Sequence, residues 1–287
     1  MSFFNPTLFD QLCREVSKDV KEKGTILHRL DDKFILETTP EMIGTGSPAL
    51  QEIHIFLGPI WVGDTFDSKI IERYTQIVGL FNEIMKDSYE NFKPMKAPVL
   101  ALKFAEIGYV TVMQSSLYVL SNDRQKIIDA THQISDMFIL AGFTVLREKI
   151  EASIYGIDGI PQTRENAEKY NKYFEFHIRV SRTNTEILEP LKEEELNKLE
   201  IISETFRKSF GVPIPLSFNR AKEGTREGLQ RYLNLRTRGI GAIESKKKVD
   251  EIVEAINKTG DFRVEKVIAE YPWGDSNVEL DKGWIDF

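Results

Sequence analysis

Cysteine is almost missing from this sequence. Cys13 is the only one, which excludes an internal disulfide and any cluster of cysteine ligands, and it fits a reducing, intracellular setting. Long apolar runs are missing too. No stretch approaches the ~18 apolar residues of a membrane span. The opening Met1-Ser2-Phe3-Phe4-Asn5-Pro6 also lacks the basic stretch and apolar core of a secretory signal. A soluble cytoplasmic protein without membrane contact is therefore expected. Nor is positive charge in excess. The 38 Lys+Arg against 45 Asp+Glu leave a net charge of −7, which argues against nucleic-acid binding driven by overall charge. The sequence has no glycine-rich phosphate loop, nucleophile elbow, Cys-His pair or strong metal motif. No metal site and no cofactor are expected, and a nucleophilic mechanism has no support.

What remains is ordinary globular material, 287 residues with 41% apolar and 29% charged side chains, enough for one large domain or two ordinary ones. The charge is uneven. Residues 161–287 hold 22 Lys+Arg against 23 Asp+Glu, leaving 16 against 22 for residues 1–160, so a local anion site in the second half stays open.

Periodicity divides the chain. Residues 7–22 read as an amphipathic helix, and 25–30 with 33–37 as a hairpin about Asp31-Asp32. From there one order of elements occurs twice. Residues 52–57, 68–86, 99–104, 109–119, 123–141 and 143–155 read as strand, helix, strand, strand, helix, strand. Residues 173–180, 193–210, 214–220, 230–238, 245–259 and 262–271 repeat that order. Three anchors align in register. Glu52-Ile53-His54-Ile55 matches Glu175-Phe176-His177-Ile178, and Pro98 matches Pro215. Phe143-x-Val145-x-Arg147-x3-Glu151 matches Phe262-x-Val264-x-Lys266-x3-Glu270.

The expected fold class is α+β, with two tandem ferredoxin-like βαββαβ repeats whose antiparallel sheets carry helices on one face. The expected domains are an N-terminal helix and hairpin (1–49), the first repeat (50–158), a linker (159–170), and the second repeat with an aromatic tail (171–287).

Strand alternation then sorts side chains between two faces. Phe174, Phe176, Ile178 and Val180 belong to the helix side, so Glu175, His177 and Arg179 fall on the other, open face. In the first repeat Glu52, His54 and Phe56 occupy the equivalent places. Neighbouring strands of the second repeat add Ser217, Asn219, Asn234, Arg236, Arg238, Lys266 and Glu270. Where these have Ser217 and Asn219, the first repeat has Leu100 and Leu102, although Arg147, Lys149 and Glu151 stay polar. Arginine forks with Asn and Ser suit an anion with several acceptor oxygens, and histidine near neutrality can take and give a proton.

Two similar units, each placing a strand histidine in a central groove, resemble the two-histidine phosphoesterases, the RNA ligase-like and cyclic phosphodiesterase group, over residues 50–285. That family follows each histidine two residues later with Ser or Thr, where this chain has Phe56 and Arg179; only Arg179 could replace a phosphate donor. The resemblance implies His177 and His54 as acid and base. The charged strands Glu175-x-His177-x-Arg179 and Arg231–Arg238 are also similar to those of the triphosphate tunnel enzymes, whose closed barrel with metal-binding glutamates suits the βαββαβ order less well.

The leading expectation is binding of a small phosphorylated or nucleotide ligand, with phosphodiesterase-like hydrolysis left open. Its ligand-binding residues are Glu175, Arg179, Ser217, Asn219, Asn234, Arg236, Arg238, Lys266 and Glu270. The alternative is a non-catalytic module whose sheet face meets a protein or a single nucleic-acid strand. Plainer readings apply as well. Arg236 and Arg238 can serve as cross-strand salt bridges to Glu175 and Glu270, and Glu193-Glu194-Glu195 suits the dipole of its helix. The aromatic tail, Tyr271-Pro272-Trp273 onward, is expected to pack as core.

Overall fold

The computed structural model describes residues 4–30, 49–86, 93–104, 108–154, 160–170, 173–184, 189–222, 225 and 229–281. Three of the six described α-helices start where the sequence supplies a side-chain cap. Asn5 accepts hydrogen bonds from the Thr7 and Leu8 amides ahead of α1 (Pro6–Ser17), and Asp67 does the same for Lys69 and Ile70 at α2 (Ser68–Met85). Asp123 caps α3 (Arg124–Leu140) through the Lys126 amide, and Gly142 follows it with φ of 89°, a backbone state that glycine adopts without penalty. The remaining helices are α4 (Arg164–Tyr170), α5 (Glu193–Phe210) and α6 (Ala242–Lys258). No helix among the described residues is long and apolar enough to cross a membrane.

The strands are β1 (Leu50–Val62), β2 (Val99–Phe104), β3 (Gly108–Leu120), β4 (Thr144–Ser153), β5 (Tyr173–Arg182), β6 (Leu216–Asn219), β7 (Arg231–Arg238) and β8 (Phe262–Asp275). Their hydrogen-bonded order is β1-β3-β2-β6-β7-β5-β8-β4, closing back on β1 as one barrel. This corrects the expectation of two ferredoxin-like repeats with separate sheets and open faces. The residues that separate sheets would leave at their edges are paired instead: Leu100–Lys103 of β2 run antiparallel to Leu216–Asn219 of β6. β8 also continues past the expected end at Tyr271 to Asp275, taking its place between β5 and β4. Unpaired edge amides and carbonyls are costly and sticky, and closure removes them. In a closed ladder the strand face turned from the helices points inward.

The chain forms two compact units. Unit 1 comprises residues 1–99, 111–159 and 273–280. Here β1 and β4 run antiparallel, with Glu52 opposite Glu151, His54 opposite Lys149 and Phe56 opposite Arg147. Ile53, Ile55 and Leu57 take the other face of β1, and with Ile134, Met137 and Phe138 of α3 they are almost wholly buried. The predicted hairpin is corrected in its first arm: Ile26 bridges Val145 of β4 in parallel, while the second arm, 33–37, lies outside the described residues. The tail packs as expected, since Trp273 is fully buried and its Nε1–H donates to Gln51 Oε1 at 2.8 Å.

Unit 2 comprises residues 100–110, 160–272 and 281–287. β5 lies between β7 and β8, placing Glu175 opposite both Arg236 and Glu270 and His177 opposite Asn234 and Ile268. Phe174, Phe176, Ile178 and Val180 are buried on the helix side with Val249, Ile252 and Ile256 of α6, as strand parity predicts.

Candidate metal site

Glu175, His177 and Glu270 each offer one ligand atom, and the three atoms lie within 4.8 Å of one another. Two neighbouring strands supply them. β5 carries Glu175 and His177 two residues apart on one face, and β8 brings Glu270 into register beside Glu175. That second strand closes the gap which an i,i+2 spacing alone leaves too wide. His177 Nε2 is 3.4 Å from Glu270 Oε2 and 3.8 Å from Glu175 Oε2; the carboxylates are buried, while the histidine side chain is 27% exposed. One side of the ring is thus within reach of solvent.

The opposite ring nitrogen is anchored. Nδ1 lies 2.6 Å from Asn234 Oδ1, so Nδ1–H donates to that amide oxygen. The Asn234 Nδ2 group donates in turn to Ser217 Oγ at 2.9 Å and to the Pro215 carbonyl at 3.0 Å. This chain fixes the ring plane and leaves Nε2 facing the carboxylates, the support usual behind a metal-bound imidazole. Arg236 Nε donates to Glu175 Oε1 and supplies the cluster's fixed positive charge.

Burial by itself pulls the His177 pKa down. The hydrogen bond and charge of Glu270, the charge of Glu175 and the Asn234 hydrogen bond outweigh it and raise the value to about 9. The imidazole therefore carries a proton at neutral pH. The negative potential that holds that proton is also one that attracts a cation.

Unit 1 repeats the arrangement with different occupants. His54 Nε2 is 2.7 Å from Glu151 Oε2 and 3.9 Å from Glu52 Oε1. His54 Nδ1 meets Ser116 Oγ at 2.8 Å and Gln114 Nε2 at 2.6 Å. Lys149 Nζ is 2.5 Å from Glu151 Oε1, with both side chains 2% exposed. Beside this cluster Arg147 forms a bidentate pair with Asp275, at 2.8 and 2.5 Å.

The structure brings together Glu175, His177, Ser217, Asn234, Arg236 and Glu270 of the residues singled out from sequence. It does not bring in the others. Arg179 pairs with Glu265 at 3.4 Å, Lys266 is exposed, and the Asn219 side chain accepts from the Ala221 amide in a turn. Arg238 sits at the end of β7 opposite Tyr173. His54 belongs to unit 1 with carboxylate partners of its own, and His132 Nε2 donates to the Leu30 carbonyl. Of the first-unit partners, Glu52 and Glu151 are read from sequence as polar strand positions but not as site residues, and Gln114 and Ser116 are not singled out. The register match of Glu151 with Glu270 was the signal that could have found one of them.

No protein-family model matches the sequence, and no curated protein matches it either. Among solved structures, one described as a candidate chlorite dismutase aligns at 10% identity over 78% of this chain and 95% of its own, with a TM-score of 0.25. A heme-binding protein from Thermus thermophilus aligns at 9% identity over 78% and 91%, with a TM-score of 0.26. A candidate monooxygenase from Lactobacillus acidophilus aligns at 9% identity over 80% and 94%, with a TM-score of 0.24. Similarity this low carries no argument about chemistry here.

Several expectations are corrected by the fold itself. The strands close into one barrel, so the two histidines do not stand on the open faces of separate sheets, and the resemblance to the two-histidine phosphoesterases fails. Binding or hydrolysis of a phosphorylated or nucleotide ligand fails with it: Arg236 is committed to Glu175 and Arg179 to Glu265, and an anion at His177 would meet two carboxylates. The interaction module is overturned as well, because Glu52, His54, Glu175, Asn234 and Arg236 are buried and present no sheet surface to a protein or a nucleic-acid strand.

Proposed function

We infer that this protein binds a divalent transition-metal ion at Glu175, His177 and Glu270. The observation that carries the reading is the convergence of one nitrogen and two carboxylate oxygens within 4.8 Å, on rigid strands, with the ring held from behind by Asn234. One imidazole with two carboxylates is a borderline-to-hard donor set, suited to Mn²⁺, Fe²⁺, Co²⁺ or Zn²⁺ rather than to Cu⁺. Three protein ligands leave coordination positions for water or another small ligand on the exposed side of His177. A bound ion would displace the Nε2 proton, so affinity rises with pH up to about 9, the His177 value.

Titration of metal-free protein with Co²⁺ and Zn²⁺, followed by calorimetry and by cobalt absorption, tests the reading. One ion per chain is expected, lost in Glu270→Gln and in His177→Ala. Folded protein with no stoichiometric binding of any of these ions at pH 8 would sink it.

A further inference from the structure

The cluster in unit 1 occupies strand positions equivalent to those of the site just described, although among the described residues only Glu175, His177 and Glu270 bring three ligand atoms within 4.8 Å of one another. Glu52 stands opposite Glu151 as Glu175 stands opposite Glu270, and His54 and His177 follow two residues later on their strands. Gln114 and Asn234 each meet the Nδ1 side of their histidine. Their backbone amides donate to the carbonyls of Pro98 and Pro215, both at 3.1 Å, the two prolines already aligned by sequence. Two strand positions differ in charge. Across from the histidine, unit 1 has Lys149 and unit 2 has Ile268. Two residues beyond the amide side chain, unit 1 has Ser116 and unit 2 has Arg236. Each cluster thus holds two carboxylates, one histidine and one basic side chain, but the base comes from a different strand.

That difference decides which space the base occupies. Arg236 reaches Glu175 from β7, on the far side of the carboxylate from Glu270 across β5. Lys149 instead rises from β4, the strand that bears Glu151, and places its ammonium 2.5 Å from a carboxylate oxygen whose partner oxygen holds His54. An ammonium and a divalent ion both satisfy a pair of carboxylates, and they cannot share one place. We propose that Glu52, His54 and Glu151 form a second, latent metal site, closed by the Lys149 ammonium acting as its resident cation. The site would take the same class of ion, with the ligand oxygens now balanced by the lysine.

This inference concerns a different cluster from the proposed function, and it is tested where unit 2 cannot contribute. In a His177→Ala background, Lys149→Ile installs the residue found opposite the other histidine. The expected result is one Co²⁺ bound per chain where the His177→Ala parent binds none, and a thermal midpoint that rises by several degrees when metal is added. Adding Glu151→Gln or His54→Ala should abolish both effects. Lys149→Met serves as a second variant with a longer apolar chain. Failure of both variants to bind the ion while folded would overturn the proposal, as would binding that survives Glu151→Gln. A Lys149→Ile chain that cannot be recovered folded either with metal or without it also counts against it, because the ion should replace the missing charge. Loss of binding in the wild type alone would leave the latent site untouched and sink only the reading at Glu175, His177 and Glu270.

Discussion

Asn234 touches no proposed ion, yet its place behind His177 gives it a measurable role. With Oδ1 on the ring Nδ1–H and Nδ2 on Ser217 and Pro215, it sets both the tautomer and the ring plane. Asn234→Leu keeps the volume and removes the acceptor. Metal affinity should fall about 10–100-fold while the three ligands remain; unchanged affinity in a Co²⁺ titration would show that the ring needs no such support. Arg147 offers a purely structural counterpart. Its guanidinium is fully buried and bidentate to Asp275, so Arg147→Met leaves a carboxylate uncompensated. A loss of about 3–5 kcal/mol is expected in urea unfolding, and recovery of much of it in the double variant with Asp275→Asn would assign the loss to the pair.

Elements are held in place by side chains that the strand and helix patterns name only by class. Glu195 suits the start of α5 as an acid near the helix dipole, and its structural work is more specific. Its carboxylate accepts both arms of Arg182, from the end of β5, at 2.6 Å each, and the Lys192 amide at 2.7 Å. The Arg182 hydrogen bond, then the Lys192 amide, hold the Glu195 carboxyl below the usual range against the opposing effect of burial. A depressed carboxylate contributes stability that is fully present above its unfolded pKa and is lost as pH falls through the folded value. Glu195→Gln should therefore flatten the acid limb of the stability curve and leave its shape at neutral pH unchanged, which denaturant melts from pH 2 to pH 7 can resolve. At the start of α6, a Cβ on Gly241 would lie 2.2 Å from the Gln162 carbonyl oxygen. Gly241→Ala should cost about 1–3 kcal/mol through forced backbone movement, read as a lowered thermal midpoint.

For the whole molecule, the proposed metal binding would be linked to folding. An ion that binds only the folded chain adds about 2.7 kcal/mol at 100 times its dissociation constant. Chelator-stripped protein should therefore melt below the metal-loaded form, and Glu270→Gln should melt alike with or without metal. The same scale shows what could be read from sequence. Element order was legible, because helix caps such as Asp67 and Asp123 and the apolar period of each helix are local signals. The shared face of Glu175 and His177 was legible from strand parity. Glu270 was visible as a register match, but its arrival beside Glu175 was not, because strand pairing joins residues far apart in the chain. Barrel closure stayed hidden for the same reason: Leu100 and Leu102 look like core residues whether β2 ends a sheet or meets β6.

The sequence by itself determined the duplicated order of strands and helices, the polar face of β1 and of β5, and the placing of a glutamate and a histidine two residues apart on that face. These depend on periods of 2 and 3.6 residues and on side-chain type, which local chemistry sets. Only the tertiary structure decided that the polar faces turn inward and that arginine and lysine answer to carboxylates instead of awaiting an anion. It also decided that one cluster holds its own ammonium while the other gathers three metal-type ligands. The reason is physical: closing the ladder removes water from those faces, and a buried charge must then find its partner within the chain or in an ion.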